Sequence, residues 1–186
     1  MDAQTLGGGF MDPAIQSAHA FRSVMEAIAR PGKICDIAGA EPPAPLSRAA
    51  GSVLLTLCDS DTPVYLAGGT DTPEIRAWLA FHTGAPMMGP SHAMFAVGTW
   101  DDLLPLSAYQ VGTSEYPDRS ATLIVESDEL AGGTTLSGPG IKDTSSLNLP
   151  DLAAFQANHA MFPLGLDFIF TCDDQLAALP RSTEVS

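Results

Sequence analysis

Apolar positions along the chain switch repeatedly between helical and extended spacing. Ile15, Ala18, Phe21, Met25 and Ile28 recur every three or four residues and predict a first amphipathic helix. Asp12-Pro13 opens it, because an Asp side chain accepts from the free N–H groups of a first turn and Pro suits the first helical position. Arg30-Pro31-Gly32 stops it. Residues 33–37 read as a short strand, and Pro42, Pro43 and Pro45 as a stiff connection. Ser47 caps a second helix through Leu57, with Val53, Leu54 and Leu57 on its apolar side. Pro63 to Leu66 is a strand. Thr72-Pro73-Glu74 begins a third helix with Ile75, Leu79 and His82 on one face, and Thr83-Gly84 ends it.

Farther on, Met94 to Val97 reads as a strand and Asp101 to Ala108 as a broken helical turn. Ala121 to Val125 is the strongest strand signal in the chain, and Thr134 to Ser137 is another strand, ending at Gly138-Pro139-Gly140. Leu152 to Phe162 reads as a helix, Leu166 to Thr171 as a buried strand, and Leu176 to Leu179 as a short apolar segment. This alternation predicts an α/β fold, a sheet flanked by helices. Direct strand-to-strand steps near residues 120–140 predict that the sheet is mixed. At 186 residues the chain is long enough for one domain, which buries roughly 70% of its unfolded surface. Residues 1–9, with three successive glycines, and 182–186 read as flexible tails of a single domain over 1–186.

Charge narrows the function classes. Eight Lys and Arg stand against 22 Asp and Glu, a net charge of −14. A nucleic-acid binder held by a broad basic face is excluded, as is docking on an anionic membrane. The most apolar stretch, residues 160–172, is too short to span a bilayer. The N-terminal residues show neither a basic n-region nor an apolar h-region, so no signal peptide is expected. Cys35, Cys58 and Cys172 are too few and too scattered for a disulfide framework and fit buried thiols in a reducing cytoplasm.

The sequence holds no GxxxxGK[ST], no helix-opening GxGxxG, no GxSxG and no HExxH, and no metal is expected. Lys33 and Lys142 are its two lysines, and neither has a distinctive context for a Schiff base. Four features stand out. Ser137-Gly138-Pro139-Gly140-Ile141-Lys142 is either a tight turn or a backbone nest for a phosphate-like anion, with Ser137 and Lys142 adding donors. Asp167, at the mouth of an apolar strand, is either a turn partner or a fixed carboxylate in a cleft or interface. Arg181 either clamps a phosphate or carboxylate, or pairs within the chain, with Asp167 as one partner. His82 is either a satisfied structural histidine or a pocket group. Arg119 pairs with Glu115 or Asp118.

Six segments, in order, resemble the PhnH family, a component of the bacterial carbon–phosphorus lyase complex. They are Phe21-Arg22-Ser23-Val24-Met25 with Arg30-Pro31-Gly32; Ser52 to Leu57 with Asp61-Thr62-Pro63-Val64; Phe81-His82-Thr83 with Ala85-Pro86; Gly138-Pro139-Gly140-Ile141; Phe162 to Asp167; and Pro180-Arg181-Ser182-Thr183. The resemblance implies an accessory subunit acting with subunits G, I, J and L. Together with G, I and L, the family is linked to displacement of adenine from ATP by a phosphonate, which gives a ribose 1-phosphonate 5-triphosphate. Radical cleavage of the carbon–phosphorus bond belongs to the iron–sulfur component, J. The resemblance also implies a fold like the large domain of pyridoxal-phosphate-dependent transferases without the cofactor, and a homodimer when isolated. It carries no catalytic residue over. The residues themselves leave two options. In the first, the chain is an accessory subunit whose apolar segments from Phe162 and around Leu176 form a partner surface. In the second, Ser137, Gly138, Gly140, Lys142 and Arg181 form an anion pocket with His82 or Asp167 as assistants.

Overall fold

The structure, a computed structural model, describes residues 6–186. Three predicted helix starts are built as the sequence implies. Asp12, Ser47 and Thr72 each turn a side-chain oxygen onto a first-turn N–H, at 3.3, 3.0 and 3.2 Å. They open α1 (Pro13–Ala29), α2 (Arg48–Leu57) and α3 (Pro73–Thr83). Gly84, at φ 70°, closes α3 in the left-handed conformation that a residue without Cβ adopts cheaply.

The main sheet contains β1 (Cys35–Asp36), β2 (Val64–Leu66), β3 (Phe95–Thr99), β4 (Thr122–Glu126), β7 (Asp167–Cys172) and β8 (Gln175–Leu179), in the order β1-β8-β7-β4-β3-β2. Strands β2, β3, β4 and β7 run parallel, and β8 and β1 add antiparallel pairs. The sheet is mixed, as expected, but for a different reason. The direct step after β4 leaves this sheet and builds a second, three-stranded one from β5 (Thr134–Ser137), β6 (Ser145–Leu147) and β9 (Glu184–Val185). The antiparallel character of the main sheet comes from Leu176–Leu179, the segment that reads only as apolar in the sequence.

Strand alternation divides the core into two layers. Ile124 and Ile169 face α1, α2 and α3, where Val24, Val53, Leu54, Ile75, Trp78 and Leu79 pack. Leu123, Val125, Phe168 and Phe170 face the other way, onto Phe155 of α5 (Leu152–His159) and onto Leu136, Leu147 and Val185 of the small sheet. The expected helix over 152–162 ends at His159, and residues 160–163 continue as turns up to Pro163. The turn expected over 101–108 is a short helix, α4 (Trp100–Leu103), and a 3₁₀ turn at Leu106–Ala108.

Both expected tails have partners. Residues 1–5 lie outside the described residues. Within 6–9, the Gly7 carbonyl accepts from the Trp78 indole at 2.9 Å and the Gly8 carbonyl from the Glu41 N–H at 2.7 Å. At the other end, Thr183 is buried and Glu184–Val185 pairs with β5.

One reversal concerns α1. Its buried residues are Ala20, Val24 and Ala27, while Ile15, Phe21, Met25 and Ile28 face solvent. The large apolar stripe that announced the helix points away from the core.

Candidate functional site

Asp167 begins β7, and Arg181 follows the end of β8, its antiparallel neighbour. That pairing brings the two together. Asp167 Oδ1 accepts from the Arg181 backbone N–H at 2.9 Å and from Nε at 3.1 Å, while Arg181 Nη2 donates to both Asp167 Oδ2 and Ser120 Oγ. Nη1 donates to the Pro117 carbonyl at 2.6 Å. The Arg181 side chain is 12% exposed. A guanidinium has five N–H donors in a fixed fork, and these contacts leave it one. His159 Nδ1 donates to the Arg181 carbonyl at 3.0 Å, tying the same corner to α5.

The Ser137–Lys142 turn lies beside this corner. Gly138 and Gly140 have φ of 121° and 83°. A Cβ on Gly138 would stand 3.3 Å from the Ser182 carbonyl, and one on Gly140 would collide with the Ala29 carbonyl at the end of α1. Here glycine lets the turn lie flat against neighbouring backbone. Ser137 Oγ is 3.5 Å from Glu184 Oε2, and Lys142 is exposed. Thus Gly138 meets the segment after Arg181, while the guanidinium points to Asp167, Ser120 and Pro117.

His82 stands apart, on the helical layer across the sheet. Its Nε2 donates to the Leu6 carbonyl at 3.1 Å, and its ring packs edge-on against Trp78 and Phe81. The guanidinium of Arg119 lies over the Tyr116 ring, 4.0 Å from its centre, rather than on Glu115 or Asp118.

Sequence reading missed Glu126. Thr99, Glu126 and Thr171 pair in one row across β3, β4 and β7, at the carboxyl ends of these parallel strands. In open α/β sheets that edge is where ligands bind. Glu126 accepts from the Ser47 N–H at the start of α2, at 2.8 Å, and from the Thr171 hydroxyl at 2.9 Å. Burial pushes its carboxyl above the usual range, against the opposing pull of the Ser47 and Thr171 donors. A cleft of about 500 Å³ opens beside it, lined by Thr99, Trp100, Asp128, Glu129 and Asn148. The available signal was a carboxylate directly after the strongest strand.

An apolar groove of about 650 Å³ runs between Leu104–Val111 and α5, lined by Leu106, Tyr109, Ala157 and Met161. Burial pushes the Tyr109 hydroxyl up to about 12. Phe162 is exposed near this side, whereas Leu176 and Leu179 are buried in β8 and form no surface. Among the described residues, no three His, Cys, Asp or Glu side chains converge as a metal site, and no helix is long and apolar enough to cross a membrane.

The family described as "Bacterial phosphonate metabolism protein (PhnH)" matches residues 8–186 of the chain. The chain is 42% identical to alpha-D-ribose 1-methylphosphonate 5-triphosphate synthase subunit PhnH of Rhizobium meliloti, over 98% of this chain and 96% of that protein. It is 27% identical to the putative C-P lyase subunit protein HtxG of Stutzerimonas stutzeri, over 90% of this chain and 84% of that protein.

Proposed function

The chain belongs to the PhnH family of bacterial phosphonate metabolism proteins, and from that premise we propose that it is an accessory subunit of a carbon–phosphorus lyase complex. In this reading it assembles in the cytoplasm with subunits G, I, J and L. It supports transfer of the ribose triphosphate moiety of ATP to a phosphonate, with release of adenine. The R. meliloti relative, named as a subunit of the corresponding synthase and aligned over nearly both whole chains, supports the assignment.

The observation that carries the accessory role is the engagement of Arg181. Four of its five donors are taken up by Asp167, Ser120 and Pro117, so it acts as an internal clasp between β7, β8 and the loop before β4. The parallel strands β2, β3, β4 and β7 with covering helices support kinship with the large domain of pyridoxal-phosphate-dependent transferases. Exposed Leu104, Met161 and Phe162 support self-association of the isolated chain. Isothermal titration tests the role. The isolated chain should give no heat with ATP or methylphosphonate and should bind the assembled partner subunits; heat with ATP alone contradicts the reading.

A second reading places an anion on the Ser137–Lys142 turn. It is favoured by Lys142, which is exposed and makes no ion pair with the described residues. Within the complex, Lys142→Ala should then weaken ATP binding. Unchanged binding removes this reading.

A further inference from the structure

Resting on the subunit reading above, we propose that the outer face of α1 is the docking surface for a partner subunit, which presents an apolar helix face bordered by carboxylates. Met11, Ala14, Ala18, Phe21, Met25 and Ile28 follow one another at alternating steps of three and four residues. All six are exposed, and Phe21 and Met25 are 48% and 49% exposed. At 17 residues α1 is about 25 Å long, and the stripe runs its whole length. Soluble chains rarely leave so long an apolar strip uncovered unless another molecule covers it. Phe and Met are also among the residues that protein interfaces enrich.

The spacing indicates the shape of the occupant. Within α1, steps of three and four put Ala14, Ala18, Phe21, Met25 and Ile28 on a straight seam, the geometry into which a second helix packs at a shallow crossing angle. The inner face of α1 is already filled by Ala20, Val24 and Ala27 against its own core. The outer stripe contributes nothing to that core, which leaves it for intermolecular contact.

Charge indicates the chemistry of the occupant. Residues 13–33 carry three cations, Arg22, Arg30 and Lys33, against one carboxylate, Glu26, in a chain whose net charge is −14. Glu26 is shared by Arg30 at 3.0 Å and Lys33 at 2.6 Å, whereas Arg22 makes no ion pair with the described residues and borders the stripe beside Phe21. A second copy fits poorly. A two-fold pairing of this face centred on Phe21, the midpoint of α1, would set Arg22 near its own image. A partner helix with Asp or Glu opposite Arg22 removes that conflict and adds specificity.

Co-expression with subunits G, I and J, followed by affinity purification through this chain, tests the proposal. Phe21→Glu and Met25→Glu should each cut recovery of the partners at least tenfold. The isolated variants should keep the thermal unfolding midpoint of the parent chain, because both side chains lie outside the core. Arg22→Glu should lower recovery severalfold. Leu152→Glu, at the start of α5 on the far side of the sheet, should leave it unchanged. Full recovery with Phe21→Glu and Met25→Glu, while the parent chain assembles, overturns the docking face and leaves the subunit reading standing. So does a change confined to the oligomeric state of the isolated chain, which would make a second copy the occupant. Tighter recovery with Arg22→Glu overturns the carboxylate border. Failure of the parent chain itself to recover any partner overturns the subunit reading, and the proposal with it.

Discussion

Asp167 takes three hydrogen bonds from Arg181, through the backbone N–H, Nε and Nη2, although the two are separated by 14 residues. The contact joins the start of β7 to the end of β8, and Ser120 and Pro117 extend it to the loop before β4. Removing the guanidinium leaves the partly covered Asp167 carboxylate with the Arg181 backbone N–H alone, and takes their donor from the Pro117 carbonyl and Ser120 Oγ. Arg181→Ala should destabilise the isolated chain by about 2–4 kcal/mol in urea unfolding, below the full cost of a buried pair because Asp167 is 34% exposed. Arg181→Lys should recover only part of this, since an ammonium cannot reproduce the planar fork.

Neighbouring positions on α1 should behave oppositely to those in α2. Met25→Ala should change stability by no more than about 0.5 kcal/mol, because the side chain is exposed. Leu54→Ala, with its side chain fully enclosed in the layer that Val24 joins, should cost about 2–5 kcal/mol. Chemical denaturation of the two variants side by side checks the pair.

These contrasts show where the sequence was legible. Caps at Asp12, Ser47 and Thr72 were readable because each needs only a local oxygen and a first-turn N–H. The apolar period of α1 was readable too, but not its direction. The helix packs inward through Ala20, Val24 and Ala27, and small side chains let it lie close to β8 and α2. Its bulky residues face outward, and a period does not say whether an apolar face meets the chain's own core or another chain. The second sheet escaped notice because β6 and β9 have three and two residues, and their pairing with β5 is fixed by tertiary contact. Of the candidate site residues, Asp167 and Arg181 meet by way of the β7–β8 hairpin, which the sequence supports. Glu126 becomes notable only when β3, β4 and β7 align in parallel around it.

Glu126 gives the stability a pH dependence. Its carboxyl is held above the ordinary value of 4.5, so the native chain keeps a proton that the unfolded chain has released. That contribution is present at low pH and is lost as pH rises from about 4.5 through the raised native value. Glu126→Gln should flatten this segment of the stability profile. Urea midpoints of the two chains between about pH 4 and 7 report the difference.

Burial pushes the Cys58 thiol up to about 12, while Cys35 and Cys172 are half-buried and raised chiefly by partial burial. A thiol reacts through its thiolate. At about pH 8, near the ordinary thiol range, Cys58 should resist an aromatic disulfide reagent until the chain is unfolded, and Cys35 and Cys172 should react slowly beforehand. Mass spectrometry of the labelled peptides separates the three.

Adenine release from ATP in the presence of methylphosphonate tests the central claim most directly. The purified chain alone should release none. The partner subunits should release adenine with the chain present and lose that activity when it is omitted. Adenine release by the chain unaided, or an undiminished rate from its partners without it, would contradict the account.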